Sequence, residues 1–169
     1  MLSQKLLDSL NEQIKYEFFS SHMYLAMAGY CYSIDLDGFA NFFVVQAEEE
    51  KFHAMKIFNY VNDMDARVQI TSLDDPENEY KDILDVFEKS LAHEGFVTDR
   101  IYKLMDIAQE EREHATISML KWFVDEQVEE MSMFRTHVQK LKRAINDPSL
   151  LYAMDAELAQ RTFVPPANA

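Results

Sequence analysis

Cysteine is almost missing from this 169-residue chain, where Cys31 stands alone. A single thiol excludes an internal disulfide framework and any thiolate-rich metal site within one chain, and it fits a reducing compartment. Glycine and proline are scarce as well, with three and four copies, which leaves few places for turns. Positive charge is short: 16 Lys and Arg face 30 Asp and Glu, a formal net charge of -14. That balance argues against nucleic acid or an anionic membrane surface as a partner and favours the attraction of cations. No apolar run approaches membrane-spanning length, and Met1-Leu2-Ser3-Gln4-Lys5 does not open a secretory signal. A cytoplasmic protein is expected.

What remains is rich in Leu, Ala, Glu, Lys and Met, and its apolar residues recur in steps of three and four. An all-α fold in one domain over residues 1–169 follows. The pattern predicts helices over about 3–32, 38–64, 80–109 and 113–145, with a short fifth over 149–161 and Ser3 as the first N-cap. Asn146-Asp147-Pro148 reads as the stop of the fourth helix, and 163–169, with paired prolines, as a loose tail. Residues 33–38 and 110–113 are turn-like and give two helical hairpins. Between the hairpins, residues 65–79 lose the helical period. About fifteen extended residues reach roughly 50 Å, and a helix of this size spans about 40 Å. The link can therefore run the bundle's full length, which makes the third helix parallel to the second.

Each long helix has its apolar seam interrupted near the middle: by Glu17, by Glu50 with His53, by Glu94, and by Gln127 with Glu130. Glu50 and His53 lie three residues apart, so both face the same way. A lone seam glutamate commonly snorkels to solvent. Four such interruptions at one level instead point to a shared site, because helices of similar length align their midpoints. Buried charge calls for a compensating cation, and four carboxylates, one imidazole and one amide suit iron or manganese better than zinc. The carboxylates suffice to bridge two ions. Glu49, Glu126 and Glu129 sit one position off the seams and offer ligands for a further ion, and Tyr24 lies two turns from Glu17 on the same seam. His22, His93, His114 and His137 have no such company.

Several stretches carry a family likeness: Leu10-Asn11-Glu12-Gln13, Glu17 with Tyr24, Gln46-Ala47-Glu48-Glu49-Glu50 to His53, and Trp122 through Glu130. In these the chain resembles a bacterial-type non-haem ferritin over essentially its whole length. The resemblance implies a ferritin-like four-helix bundle with one long crossover between helices 2 and 3 and a short fifth C-terminal helix. It implies a di-iron centre in which Glu17, Glu50 and His53 bind one iron and Glu50, Glu94 and Glu130 the second. Gln127, Tyr24 and Trp122 stand beside that centre, and a third iron site falls to Glu49, Glu126 and Glu129, shared with Glu130. It further implies a homo-oligomeric, twenty-four-subunit cage that oxidises Fe(II) with O2 or H2O2 and stores the ferric mineral. Lys51 occupies the place of a bacterioferritin's haem-ligating Met, so haem is not expected. A di-iron or di-manganese peroxide scavenger with little storage is the alternative.

Overall fold

The computed structural model describes residues 2–166. Five helices and no strands are present among them: α1 (Gln4–Ser33), α2 (Asp37–Asp63), α3 (Ile83–Glu110), α4 (His114–Ala144) and α5 (Pro148–Leu158). Ser3 caps α1, its side chain accepting from the Leu6 N–H at 3.1 Å. Asp35 and Arg112 take positive φ, 59° and 53°, in the two hairpin turns.

Side-chain pairs give the directions of the helices. Along α1 and α2, Ser21 bonds Ala47 and Tyr24 stacks on Phe43, so the two are antiparallel. Gln13 reaches Arg100 and Tyr24 reaches Glu94, so α3 also opposes α1. Helices α2 and α3 are therefore parallel, joined by a crossover over residues 64–82 that Asn11 of α1 grips through Gln69 N–H and the Arg67 carbonyl. This is the one-crossover, ferritin-like bundle expected from the sequence.

Several element ends differ from the seam reading, each for a physical reason. Helix α3 begins at Ile83 rather than near Tyr80, because Asp82 is extended and accepts from Asp85 N–H at 2.9 Å as an N-cap. Glu113 caps α4 instead of joining it, through Thr116 N–H at 2.7 Å. Pro148 does not simply stop α4. It opens α5 behind the Asp147 cap, at the first helical position, where its missing N–H costs nothing. Helix α5 ends at Leu158, three residues early, because Asn41 Nδ2 of α2 takes the carbonyls of Leu158 and Arg161 at 3.1 and 3.0 Å. Phe163, assigned to a loose tail, packs on Phe52 with ring centroids 5.9 Å apart. Residues 167–169 of that tail, like Met1, lie outside the described residues.

The apolar core is split in two. One cluster joins Tyr24, Phe39, Phe43, Phe87 and Phe134 toward the α5 end. The other joins Leu10, Ile14, Ile57, Ile101, Leu120 and Phe123 toward the opposite end. Between them lies a polar layer to which every long helix contributes: Glu17, Glu50 and His53, Glu94, and Gln127 with Glu130, all buried. The two apolar clusters supply the burial that offsets the cost of this layer.

Candidate metal centre

The six side chains expected to converge do so. Each is no more than 4% exposed, and the donor atoms of Glu17, Glu50 and His53 lie within 4.8 Å of one another. His53 Nδ1 is 3.5 Å from Glu50 Oε2 and 3.9 Å from Glu17 Oε2. Trp122 and Phe123 stand nearly perpendicular to the imidazole in edge contacts, at 5.4 and 5.9 Å between centroids, and restrict its rotation.

Glu94 sits across the layer with both oxygens engaged. Tyr24 Oη donates to its Oε1, and Gln127 Nε2 donates to its Oε2 at 3.2 Å and to its backbone carbonyl at 3.3 Å. Tyr24 is fixed between Phe43 and Phe134, nearly parallel to both. Glu130 is held through Gln46, whose Nε2 donates to Glu130 Oε1 and to Glu50 Oε1, each at 3.0 Å.

The electrostatics are those of acids crowded into a buried layer. Burial raises Glu17, Glu50, Glu94 and Glu130 from 4.5 to about 8, and the neighbouring carboxylates add to this, Glu50 acting on Glu17 and Glu94, Glu130 on Glu50, and Glu94 on Glu130. Glu17 Oε2 and Glu130 Oε2 are buried without a hydrogen-bond partner. A buried acceptor left unpaired costs about 1 to 3 kcal/mol. A cation would relieve both deficits, and the donor set of carboxylate oxygens with one imidazole suits Fe(II) or Mn(II).

The second set of acids is less gathered. Glu49, Glu126 and Glu129 line one open cavity of about 690 Å³ with Glu130. Glu126 Oε1 comes within 3.9 Å of His53 Nε2. Glu49 is ion-paired to Arg161 at 2.5 Å, and the three acids do not close to ligand distance as the first group does. His93, which the seam left without a role, hydrogen-bonds Ser20 at 2.7 Å, and burial lowers it to about 4.

Besides Gln127, two further amides hold the carboxylates, and the seams give no sign of their role. Gln13 Nε2 donates to Glu17 Oε1 at 2.8 Å, as Gln46 does to Glu50. Each lies four residues before its glutamate, a spacing visible in the sequence.

Comparison with known proteins gives one consistent result. A family model described as "Ferritin-like domain" matches residues 7–144. The chain is 48% identical over 163 residues to a bacterial non-heme ferritin of Staphylococcus aureus (strain USA300), covering 96% of this chain and 98% of that one. Its counterpart in Staphylococcus saprophyticus is 47% identical over the same length and the same shares of each chain. Among solved structures, an open pore ferritin from the hyperthermophilic archaeon Archaeoglobus fulgidus superposes with a TM-score of 0.95 at 40% identity, over 96% of this chain and 100% of that one.

Proposed function

The chain belongs to the ferritin family, and from that premise we propose that it stores and detoxifies iron, oxidising Fe(II) at a di-iron centre and holding the ferric product in a cage. The observation that carries this is the buried convergence of Glu17, Glu50 and His53, with an unpartnered carboxylate oxygen beside the imidazole. In this reading Glu17, Glu50 and His53 bind one Fe(II), and Glu50, Glu94 and Glu130 bind the second. Glu50 is the bridge, because its Oε2 lies beside His53 while its Oε1 shares the Gln46 amide with Glu130.

Two positive ions offset the carboxylate charges that otherwise keep protons, so metal entry expels those protons. A carboxylate shell of this kind favours Fe(III) over Fe(II), and O2 or H2O2 accepts the electrons. Tyr24 and Gln127 orient Glu94 from either side. Glu49, Glu126 and Glu129 form a third iron site on the cavity, reached once Glu49 leaves Arg161. The protein acts as one domain in a homo-oligomer of twenty-four subunits in the cytoplasm, without haem. No helix among the described residues is long and apolar enough to cross a membrane.

The peroxide-scavenging alternative is weaker, since the relatives are named as ferritins. Anaerobic Fe(II) titration followed by oxygen, with particle size measured in parallel, tests the reading. Stoichiometric binding, oxidation and a mineral-filled shell are expected. Monomers or dimers that oxidise iron without retaining it would reject storage.

A further inference from the structure

Two of the amides that hold the carboxylates are themselves held by arginine. Arg100 Nε donates to Gln13 Oε1 at 3.0 Å, and Gln13 passes its N–H to Glu17. Arg161 Nη2 donates to Gln46 Oε1 at 2.9 Å, and Gln46 Nε2 serves Glu50 and Glu130 together. A guanidinium has donors only, so the amide must turn its oxygen to the arginine and its NH2 to the carboxylates. Without that constraint the amide can rotate and bring its oxygen against two acidic groups, which it repels once they ionise to bind a cation.

Arg161 is well fixed for this task. Its Nη1 donates to the Phe42 carbonyl at 3.3 Å, its guanidinium lies 4.4 Å over the Phe42 ring, and Glu49 binds the same Nη2 as Gln46. It comes from the segment that follows α5, which Asn41 pins to α2 through the Leu158 and Arg161 carbonyls.

We infer that Arg161 is a positioning residue for the metal centre: it sets the Gln46 amide, which takes one lone pair on Oε1 of Glu50 and of Glu130 and so fixes how the two carboxylates present their remaining lone pairs to cations. The second oxygens fit this role, since Glu130 Oε2 is unpartnered and Glu50 Oε2 lies 3.5 Å from His53 Nδ1. The inference rests on the di-iron reading above. It also ties the chain beyond the last helix to a centre built by the first four.

The test is a double-mutant cycle on the full-length protein, read by anaerobic titration with Co(II), a redox-inert probe whose visible bands report its ligand geometry. The variants are Arg161→Gln, Gln46→Leu and the pair combined, with Arg161→Lys as the conservative change. Arg161→Gln is expected to weaken Co(II) binding about tenfold and alter the bands, as loss of an outer-shell partner does. Arg161→Lys should recover part of this, and once Gln46 is Leu, Arg161→Gln should add nothing at the Glu50–Glu130 centre, Co(II) taken up through the freed Glu49 being read as a separate binding step. Wild-type affinity and spectrum in Arg161→Gln would overturn the inference, and so would full additivity of the two changes, since Arg161 would then act by another route. If Arg161→Gln does not assemble, the cycle is run with Arg161→Lys on the same criteria. A wild-type protein that binds neither Co(II) nor Fe(II) overturns the di-iron reading as well, whereas normal wild-type binding with an indifferent Arg161→Gln overturns this inference alone.

Discussion

Replacing Glu94 by Gln separates a metal ligand from a structural partner. In the metal-free protein, burial and then the Glu50 charge raise the Glu94 carboxyl from 4.5 to about 8. The folded state thus holds a proton that the unfolded chain gives up. Its contribution to stability is fully present below pH 4.5 and is lost as the pH rises through about 8. At about 1.4 kcal/mol per pH unit, ionising one such carboxyl in full costs about 5 kcal/mol. Four carboxyls share this strain, so a neutral isostere at one position returns about 1 to 4 kcal/mol. Against that stands geometry, because Glu94 accepts from Tyr24 and Gln127 at once, and a glutamine offers one oxygen. Turning one partner costs about 1 kcal/mol. Unfolding of chelator-stripped Glu94→Gln should therefore match wild type within about 1 kcal/mol at pH 6 and exceed it by about 1 to 4 kcal/mol at pH 9, while Fe(II) oxidation slows. A loss of stability at pH 9 with oxidation intact would make Glu94 a structural residue rather than a metal ligand.

The raised carboxyls make metal binding a proton-releasing event, so affinity should climb from pH 6 to about 8 and flatten above. Calorimetry in buffers of different ionisation enthalpy should count more protons released at pH 6.5 than at pH 9, and equal counts would contradict the assignment. Gly38→Ala should unseat α5, because a Cβ at Gly38 would lie 1.7 Å from the Asp155 carbonyl oxygen. Alanine is the better helix former by about 1 kcal/mol, so a net loss of about 1 to 3 kcal/mol isolates the clash. Limited proteolysis should then cut near α5 faster, and unchanged stability and cleavage would show that α5 shifts without cost.

The polar layer was legible because it breaks a pattern. A seam that keeps apolar residues in steps of three and four makes Glu17, Glu50, Glu94 and Glu130 conspicuous, and packed helices of similar length bring them together. Gln13 and Gln46 were harder to read. A seam amide has no charge to explain, and its role appears only when its partner's position is known. Tyr80 prolonged the α3 period by its own burial, masking the Asp82 cap. Arg161 left no local trace at all, since its place depends on Asn41 of a distant helix turning the chain after α5. The pairing of Glu49 with Arg161 was hidden for the same reason.

Anomalous diffraction at the iron edge, from crystals of the full-length protein soaked anaerobically with Fe(II), tests whether Fe(II) binds in the layer formed by Glu17, Glu50, His53, Glu94 and Glu130. Two peaks are expected in this layer, one among Glu17, Glu50 and His53 and a second toward Glu94 and Glu130. Iron ordered elsewhere on the subunit, with no peak beside His53 Nδ1, would mean that this layer is not the iron site.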